Sequence, residues 1–83
     1  MNSRLYLNRV IKMIVFDPLW DTLKRKGIST YALQKDYRVS KGLIDRLKNN
    51  RNVNTFTLNN LCNILDCSLS DILTYIPDIP EDE

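Results

Sequence analysis

The chain has 83 residues, of which 43% are hydrophobic and 27% are charged, and its formal net charge is +2. A chain of this length forms one small domain, and the composition is that of an ordinary soluble globular protein. No apolar run approaches the roughly 18–20 residues that span a bilayer, and no signal-peptide pattern is visible. We therefore expect a cytoplasmic protein that does not enter a membrane.

Histidine is absent, and cysteine occurs twice, at Cys62 and Cys67. The absence of histidine removes the commonest zinc ligand and the commonest general base. The spacing of the cysteines differs from the CxxC of zinc and redox sites, and Cys62 lies on an apolar helical face, which predicts a core thiol. No phosphate loop or nucleophile–base pair is present. We expect neither an enzyme nor a metal, cofactor or small-molecule ligand.

Charge is divided unevenly along the chain. Five acidic and no basic residues lie from Asp71 onward, whereas the first 70 residues hold all 12 basic residues against five acidic ones, a balance of +7 (12 − 5). A basic body with an acidic tail is typical of a domain that binds a polyanion, although the same charges also keep a protein soluble.

The first 15 residues have no clean hydrophobic period. Leu5, Leu7 and the run 10–16 fit either an extended strand or a helix that begins at Leu5. We treat residues 1–15 as an N-terminal extension of uncertain structure. A strand in this extension would offer an exposed edge for pairing with a second copy of the chain.

Capping signals and apolar residues at helical spacing predict five helices. Asp17 is a good N-cap before Pro18, and Gly27 ends the first helix. Thr55 or Thr57 caps the fourth helix, and the remaining helices begin at serine caps. The helices cover about residues 17–26, 29–37, 40–49, 55–65 and 68–76.

Five short helices with brief connections and no convincing core strand predict an all-α fold, a compact bundle in residues 16–76. The acidic residues 77–83 are predicted to form a flexible tail. The predicted core consists of Leu19, Trp20, Leu23, Leu33, Tyr37, Val39, Ile44, Leu47, Leu58, Leu61, Cys62, Leu65, Leu69, Ile72 and Leu73.

Residues 29–51 have the arrangement of a helix-turn-helix. Two helices of about eight to ten residues are joined by about three residues, and helices joined in this way cross steeply. Such a unit can place its second helix in the major groove of DNA while the first helix crosses the backbone. Double-stranded DNA is therefore the partner that this part of the chain predicts.

Several residues of this unit and of the helices after it match a known pattern. They are Leu33, Val39-Ser40, Ile44, Leu47, Asn49 and the run 61–73, which has the form LCxxLxCxxxDIL. Over residues 26–76 the chain resembles the Cro/phage-repressor-type (XRE-type) helix-turn-helix family, and small bacterial and mobile-element members are especially similar. The resemblance implies a lambda-repressor-like fold, a homodimer on a palindromic operator and transcriptional regulation, more often repression.

Three positions depart from the family's usual pattern. Gln34 stands where a small Ala is usual, and Lys48-Asn49-Asn50 stand where Glu-Asn-Gly often closes the recognition helix. Arg38 stands at a turn position that is often Gly, which predicts backbone strain there. Asn tolerates the left-handed backbone conformation, so Asn50 is a suitable substitute for Gly.

The resemblance assigns roles to residues of this unit. Contacts with base edges are predicted for Ser40, Lys41, Gly42, Asp45 and Arg46. Contacts with DNA phosphates are predicted for Thr30, Asn49, Arg51 and Asn52. Arg46 would pair with guanine O6 and N7, because its planar fork of donors matches those two acceptors.

Two expectations concern protein partners. An alternative use of the same fold is an antitoxin or protein-interaction adaptor, with the hydrophobic N-terminal stretch as the contact surface. We also expect a homodimer, because one recognition helix covers only a few base pairs. The N-terminal apolar residues are one candidate interface, and the other consists of Ile72, Tyr75, Ile76 and Ile79.

Overall fold

The computed structural model describes residues 13–77. Its elements in chain order are β1 (Met13–Val15), α1 (Asp17–Lys26), α2 (Thr30–Lys35), α3 (Lys41–Lys48), α4 (Thr55–Leu65), a 3₁₀ turn (Leu69–Asp71) and β2 (Thr74–Ile76). The predicted helical fold is confirmed, but residues 13–77 form four α-helices instead of the five predicted. None of these four combines the length and the apolar character that a membrane-spanning helix needs.

Three of the helices begin with a side chain that accepts a hydrogen bond from a backbone N–H three residues later. These caps are Ser29 on α2, Ser40 on α3 and Asn54 on α4, at 3.0, 3.1 and 2.8 Å. The serine caps were expected from the sequence, whereas the prediction of Thr55 or Thr57 is wrong, because the stronger cap Asn54 precedes them. The Asp17 cap is also wrong, since Asp17 is already helical and follows Phe16.

Three helices end in the same motif, in which one residue adopts a left-handed backbone and reverses the chain. The left-handed residues are Gly27, Asn50 and Asp66, with φ of 70°, 53° and 52°. In each case the following N–H donates to the carbonyl five residues earlier, which joins Ile28 to Leu23 (2.9 Å), Arg51 to Arg46 (2.8 Å) and Cys67 to Cys62 (3.1 Å). The sequence predictions for Gly27 and Asn50 are thus confirmed.

One hydrophobic cluster forms the core of the described residues. Its buried members are Phe16, Leu19, Leu23, Leu33, Val39, Ile44, Leu47, Leu61, Leu65 and Ile72. All but Phe16 belong to the predicted core. The other predicted members are half-buried around this cluster, namely Trp20, Tyr37, Leu58, Cys62 and Leu73. Leu69 is 50% exposed, so its assignment to the core is wrong.

The two strands form an antiparallel sheet in which Ile14 lies opposite Tyr75. The sequence was compatible with either a strand or a helix at residues 13–15, and the structure has a strand there. The predicted fifth helix, from Ser68 to Ile76, is wrong, because its last residues form β2. Residues 74–76 are β-branched or aromatic, and Pro77 leaves no room for a longer helix.

Ile72 is fully buried, which excludes it from a dimer interface. The predictions for residues 1–12, for 78–83 and for Ile79 lie outside the described range.

The 3₁₀ turn is anchored to α1 through a buried threonine. Thr22 is 1% exposed, and its Oγ1 donates to the carbonyl oxygen of Asp71 at 2.7 Å and accepts from Nη2 of Arg25 at 2.9 Å. The Arg25 guanidinium lies 3.7 Å from the Asp71 carboxylate. The predicted capping box of Ser68 and Asp71 is confirmed, although it opens a 3₁₀ turn and not a helix.

Candidate nucleic-acid interface

The candidate interface is built on α2, α3 and the segment 36–40 between them. α2 ends at Lys35, two residues before its predicted end, so the connection is longer than expected. Leu33 and Val39 bury the connection against the core, and the N–H of Val39 donates to the carbonyl of Leu33 at 3.1 Å. Arg38 between them has a φ of 61°, which confirms the predicted strain at this turn.

One face of α3 is exposed and the opposite face is buried. Ile44 and Leu47 point into the core, with 4% and 0% exposure. At about 100° per residue, the arc from residue 41 to residue 46 covers about 140° on the other side of the helix. Four of the predicted base contacts share this exposed arc, namely Lys41, Gly42, Asp45 and Arg46. Ser40 precedes them, and its hydroxyl is occupied in capping α3.

The charged side chains of this face have defined neighbours. Nζ of Lys41 lies 3.6 Å from Oδ2 of Asp45, one helical turn away. Nη1 of Arg46 lies 3.8 Å from the point that a Cβ on Gly42 would occupy. The guanidinium of Arg46 therefore extends back over Gly42 toward the start of α3. Asp45 pairs with Lys41, so the charge of Lys41 is offset within the helix surface.

The predicted phosphate contacts fall into two places. Thr30 is the exposed first residue of α2. The other three lie together on the loop that directly follows α3, where Asn49, Arg51 and Asn52 are exposed. Nδ2 of Asn49 donates to the carbonyl of Asp45 at 2.8 Å, so this amide closes the helix as well as facing solvent.

The loop after α3 is attached to the rest of the domain at Asn50. Its Oδ1 accepts a hydrogen bond from the N–H of Phe16 at 2.8 Å, a contact between residues 34 positions apart in sequence. Phe16 is itself buried in the core. The backbone that carries Arg51 and Asn52 is thus fixed to the segment between β1 and α1.

Two exposed aromatic residues beside these positions were not predicted as site residues. Tyr31 follows Thr30 and is 69% exposed, with Nζ of Lys35 at 5.7 Å from its ring centroid. Phe56 follows the loop in the first turn of α4 and is 70% exposed. The sequence contains a signal for Phe56, because it lies off the apolar stripe that begins at Leu58.

Two helices joined by a short segment, the second with a polar and exposed face, are the arrangement of a helix-turn-helix DNA-binding domain. A family model for the Cro/C1-type HTH DNA-binding domain matches residues 18–78, and the chain belongs to this family. The family resemblance seen in the sequence is thereby confirmed. The match begins after β1, within α1.

A solved structure described as the transcriptional regulator VanUg (crystal form II) is similar to this chain. The two share 27% sequence identity with a TM-score of 0.71, over 80% of this chain and 88% of that chain. A search of curated proteins finds no match. The structural likeness supports the fold, and the family model gives its DNA-binding class.

Proposed function

We propose that this protein is a sequence-specific transcriptional regulator, acting as a repressor, that binds a palindromic operator as a homodimer. In this proposal α3 enters the major groove. The observation that carries it is the exposed face of α3, on which Lys41, Gly42 and Arg46 lie opposite the buried Ile44 and Leu47. Membership of the Cro/C1-type family and the likeness to VanUg, a transcriptional regulator, support it.

Residues of the interface divide into two groups by chemistry. Arg46 presents a bidentate donor to guanine, worth about 1–3 kcal/mol of discrimination against a wrong base. Ser40, Lys41 and Asp45 contact neighbouring base edges, and Gly42 allows the helix backbone to approach the groove. Phosphate contacts position the domain without sequence information. They are assigned to Thr30, Asn49, Arg51 and Asn52.

A second candidate function is that of an antitoxin or adaptor. It is favoured by the cross-strand pair Ile14 and Tyr75, whose side chains are 49% and 55% exposed on the two-stranded sheet. Paired exposed apolar groups of this kind mark a surface for protein contact. In the leading proposal the same pair, with Ile76 beside it, supplies the homodimer interface.

Selection from random duplex DNA tests the function directly. A regulator enriches one palindromic sequence, and its affinity for that sequence falls steeply with salt because bound phosphates release counterions. An adaptor that contacts DNA only through charge enriches no sequence. Absence of enrichment, together with loss of binding near physiological salt, would overturn the regulator proposal and leave the adaptor.

Two arginine substitutions test the division of roles. Arg46→Ala is expected to relax selectivity at one base pair by about 1–3 kcal/mol, while Arg51→Ala weakens binding to every sequence alike. Lys24→Ala is the matched control, because Lys24 is an exposed cation on α1 whose removal changes the net charge equally. Uniform losses for both arginine variants would contradict base contact by Arg46.

A further inference from the structure

The end of α4 brings the two cysteines of the chain together. Asp66 has the left-handed backbone that closes the helix, and the N–H of Cys67 donates to the carbonyl of Cys62 at 3.1 Å. In this motif the residues at these two positions commonly contact each other. Both thiols are half-buried and pack against the core. The five-residue spacing, which differs from CxxC, therefore does not keep them apart.

The end of α1 can be compared with the cysteine pair at the end of α4. The same motif ends α1, where the two positions are occupied by Leu23 and Ile28. Hydrocarbon side chains thus satisfy the packing that this helix end needs. Two thiols at these positions add a chemistry that the Leu23–Ile28 pair does not have, because each thiol can lose a hydrogen to form a shared S–S bond.

We propose that Cys62 and Cys67 form a reversible intramolecular disulfide, which makes the end of α4 a redox modification site for low-molecular-weight disulfides such as oxidised glutathione. The Cys62 thiolate attacks one glutathione sulfur, the glutathione S–S bond breaks, and one glutathione thiol leaves with a proton. The Cys67 thiolate then attacks the Cys62 sulfur and releases the second glutathione thiol. Two electrons and two protons pass from the protein to glutathione.

The surroundings of the two thiols assign the order of these steps. Cys62 borders an open cleft formed with Leu58, Asn59 and Leu69, through which a disulfide can reach its sulfur. Burial raises the pKa of the Cys67 thiol, so this thiol stays largely protonated at neutral pH. Cys62 is therefore the attacking thiol, and Cys67 resolves the mixed disulfide.

Oxidation is expected to stabilise the domain without altering its contacts with DNA. The bond closes the loop 62–67 and removes conformational freedom from the unfolded chain. The cysteines lie at the end of α4, whereas its first residue, Thr55, follows the loop after α3. At 1.5 Å per residue these ends are about 15 Å apart. The proposal does not depend on the operator or on the sign of regulation.

Equilibration of the full chain in glutathione buffers, followed by mass spectrometry and thiol counting, tests the proposal. The expected product has lost two hydrogen atoms and both thiols, with no glutathione adduct and no covalent dimer. At half-oxidation, the ratio of oxidised glutathione to the square of the reduced glutathione concentration should be about tenfold lower for the folded protein than in concentrated guanidinium chloride. The melting temperature should rise by about 5 °C or more and return with dithiothreitol.

Variants separate this site from general effects of the oxidant. Cys67→Ser should take up one glutathione readily and Cys62→Ser should do so more slowly, and neither should show a rise in melting temperature. The double variant Cys62→Leu/Cys67→Ile copies the pair that ends α1 and should be unaffected by oxidant. The proposal would be overturned if the main wild-type product were a glutathione adduct. It would also be overturned if folded and unfolded protein reached half-oxidation in the same glutathione buffer, or if oxidant raised the melting temperature of the double variant.

Discussion

Within residues 13–77, three residues other than glycine have left-handed backbones, and they differ in how the strain is offset. Asn50 uses its amide oxygen to hold the N–H of Phe16, and Asp66 closes α4. Arg38 is exposed in the turn before α3 and has a φ of 61°. The left-handed region costs a residue with a Cβ about 1–2 kcal/mol, so Arg38 is the position where glycine should be preferred.

Arg38→Gly is expected to raise the free energy of unfolding by about 0.5–1 kcal/mol. Glycine removes the left-handed strain but adds freedom to the unfolded chain, which offsets part of the gain. Urea unfolding followed by circular dichroism measures the change. Asn50→Gly is the control, because it also places glycine at a left-handed position but removes the acceptor of the Phe16 N–H. It should lower stability, and a loss in Arg38→Gly would contradict the argument.

Gly42→Ala should move stability and DNA binding in opposite directions. A Cβ at this position meets Nη1 of Arg46 at 3.8 Å, an ordinary contact, and alanine favours a helix over glycine by about 1 kcal/mol. Unfolding should therefore require more denaturant. If α3 approaches DNA at Gly42, the added methyl weakens operator binding by about tenfold, which corresponds to mild overpacking. Higher stability with unchanged affinity would place Gly42 away from DNA.

The sequence predicts which residues of the candidate interface lie on the exposed face of α3, but it predicts little about how their side chains are arranged. Helical periodicity and the Ser40 cap place Lys41, Gly42, Asp45 and Arg46 on one face. The pairing of Lys41 with Asp45 and the extension of Arg46 over Gly42 depend on side-chain rotamers. Sequence spacing does not determine rotamers, because the backbone permits several for each long side chain.

Among the secondary-structure elements, those with local signals were predicted and those with distant partners were not. α2, α3 and α4 have side-chain caps, and α1, α3 and α4 have left-handed stops, at or beside their own ends. β2 depends on pairing with β1, some 60 residues earlier, where Val15 lies opposite Thr74. Strand propensity is decided by such neighbours, so the short segment after Asp71 was compatible with a helix until its partner was known.

The 3₁₀ turn before β2 has an acid-sensitive contact. Asp71 accepts hydrogen bonds from the N–H and the hydroxyl of Ser68, at 3.0 and 3.1 Å. These bonds, with the nearby Arg25 guanidinium, lower the pKa of Asp71 from its ordinary value of 3.8. The folded state therefore binds this proton less readily than the unfolded state. Its contribution to stability is complete above 3.8 and is lost as the pH falls through the folded-state pKa.

Asp71→Asn should destabilise the protein at neutral pH and remove this part of its acid sensitivity. The stability gap between the wild type and the variant is expected to be constant above about pH 5 and to shrink below it. Thermal unfolding from pH 7 to pH 2.5 measures the gap. Ser68→Ala removes one of the two donors and should give an intermediate pH dependence. If the stability difference between the wild type and the variant stayed constant down to pH 2.5, the Asp71 charge would not stabilise the turn.

At the scale of the whole molecule, the uneven division of charge gives most of the chain a positive electrostatic field that is stronger than the net charge indicates. The first 70 residues have a balance of +7 (12 basic − 5 acidic), whereas the whole chain has +2. Cations of the helix-turn-helix and its loop, including Arg46 and Arg51, belong to the basic part. The field of the basic part attracts DNA, and the acidic C-terminal residues oppose it.

Neutralising the acidic end should strengthen DNA binding that is independent of sequence. The variant Glu81→Gln/Asp82→Asn/Glu83→Gln keeps the chain length and removes three negative charges, which changes the net charge from +2 to +5 (2 + 3). Association with random duplex should become faster by up to about tenfold at low salt, the lower end of the effect that protein fields produce.

The gain should disappear as salt rises, because charges farther apart than the Debye length of about 8 Å at physiological ionic strength are screened. Stopped-flow association across a salt series measures it, with Lys24→Ala as a control that changes the charge in the opposite direction. The discrimination between operator and random duplex should stay unchanged in the triple variant, since a uniform attraction adds equally to both binding free energies. A faster rate that persists at high salt would instead indicate that the acidic residues block the DNA-binding face by direct contact.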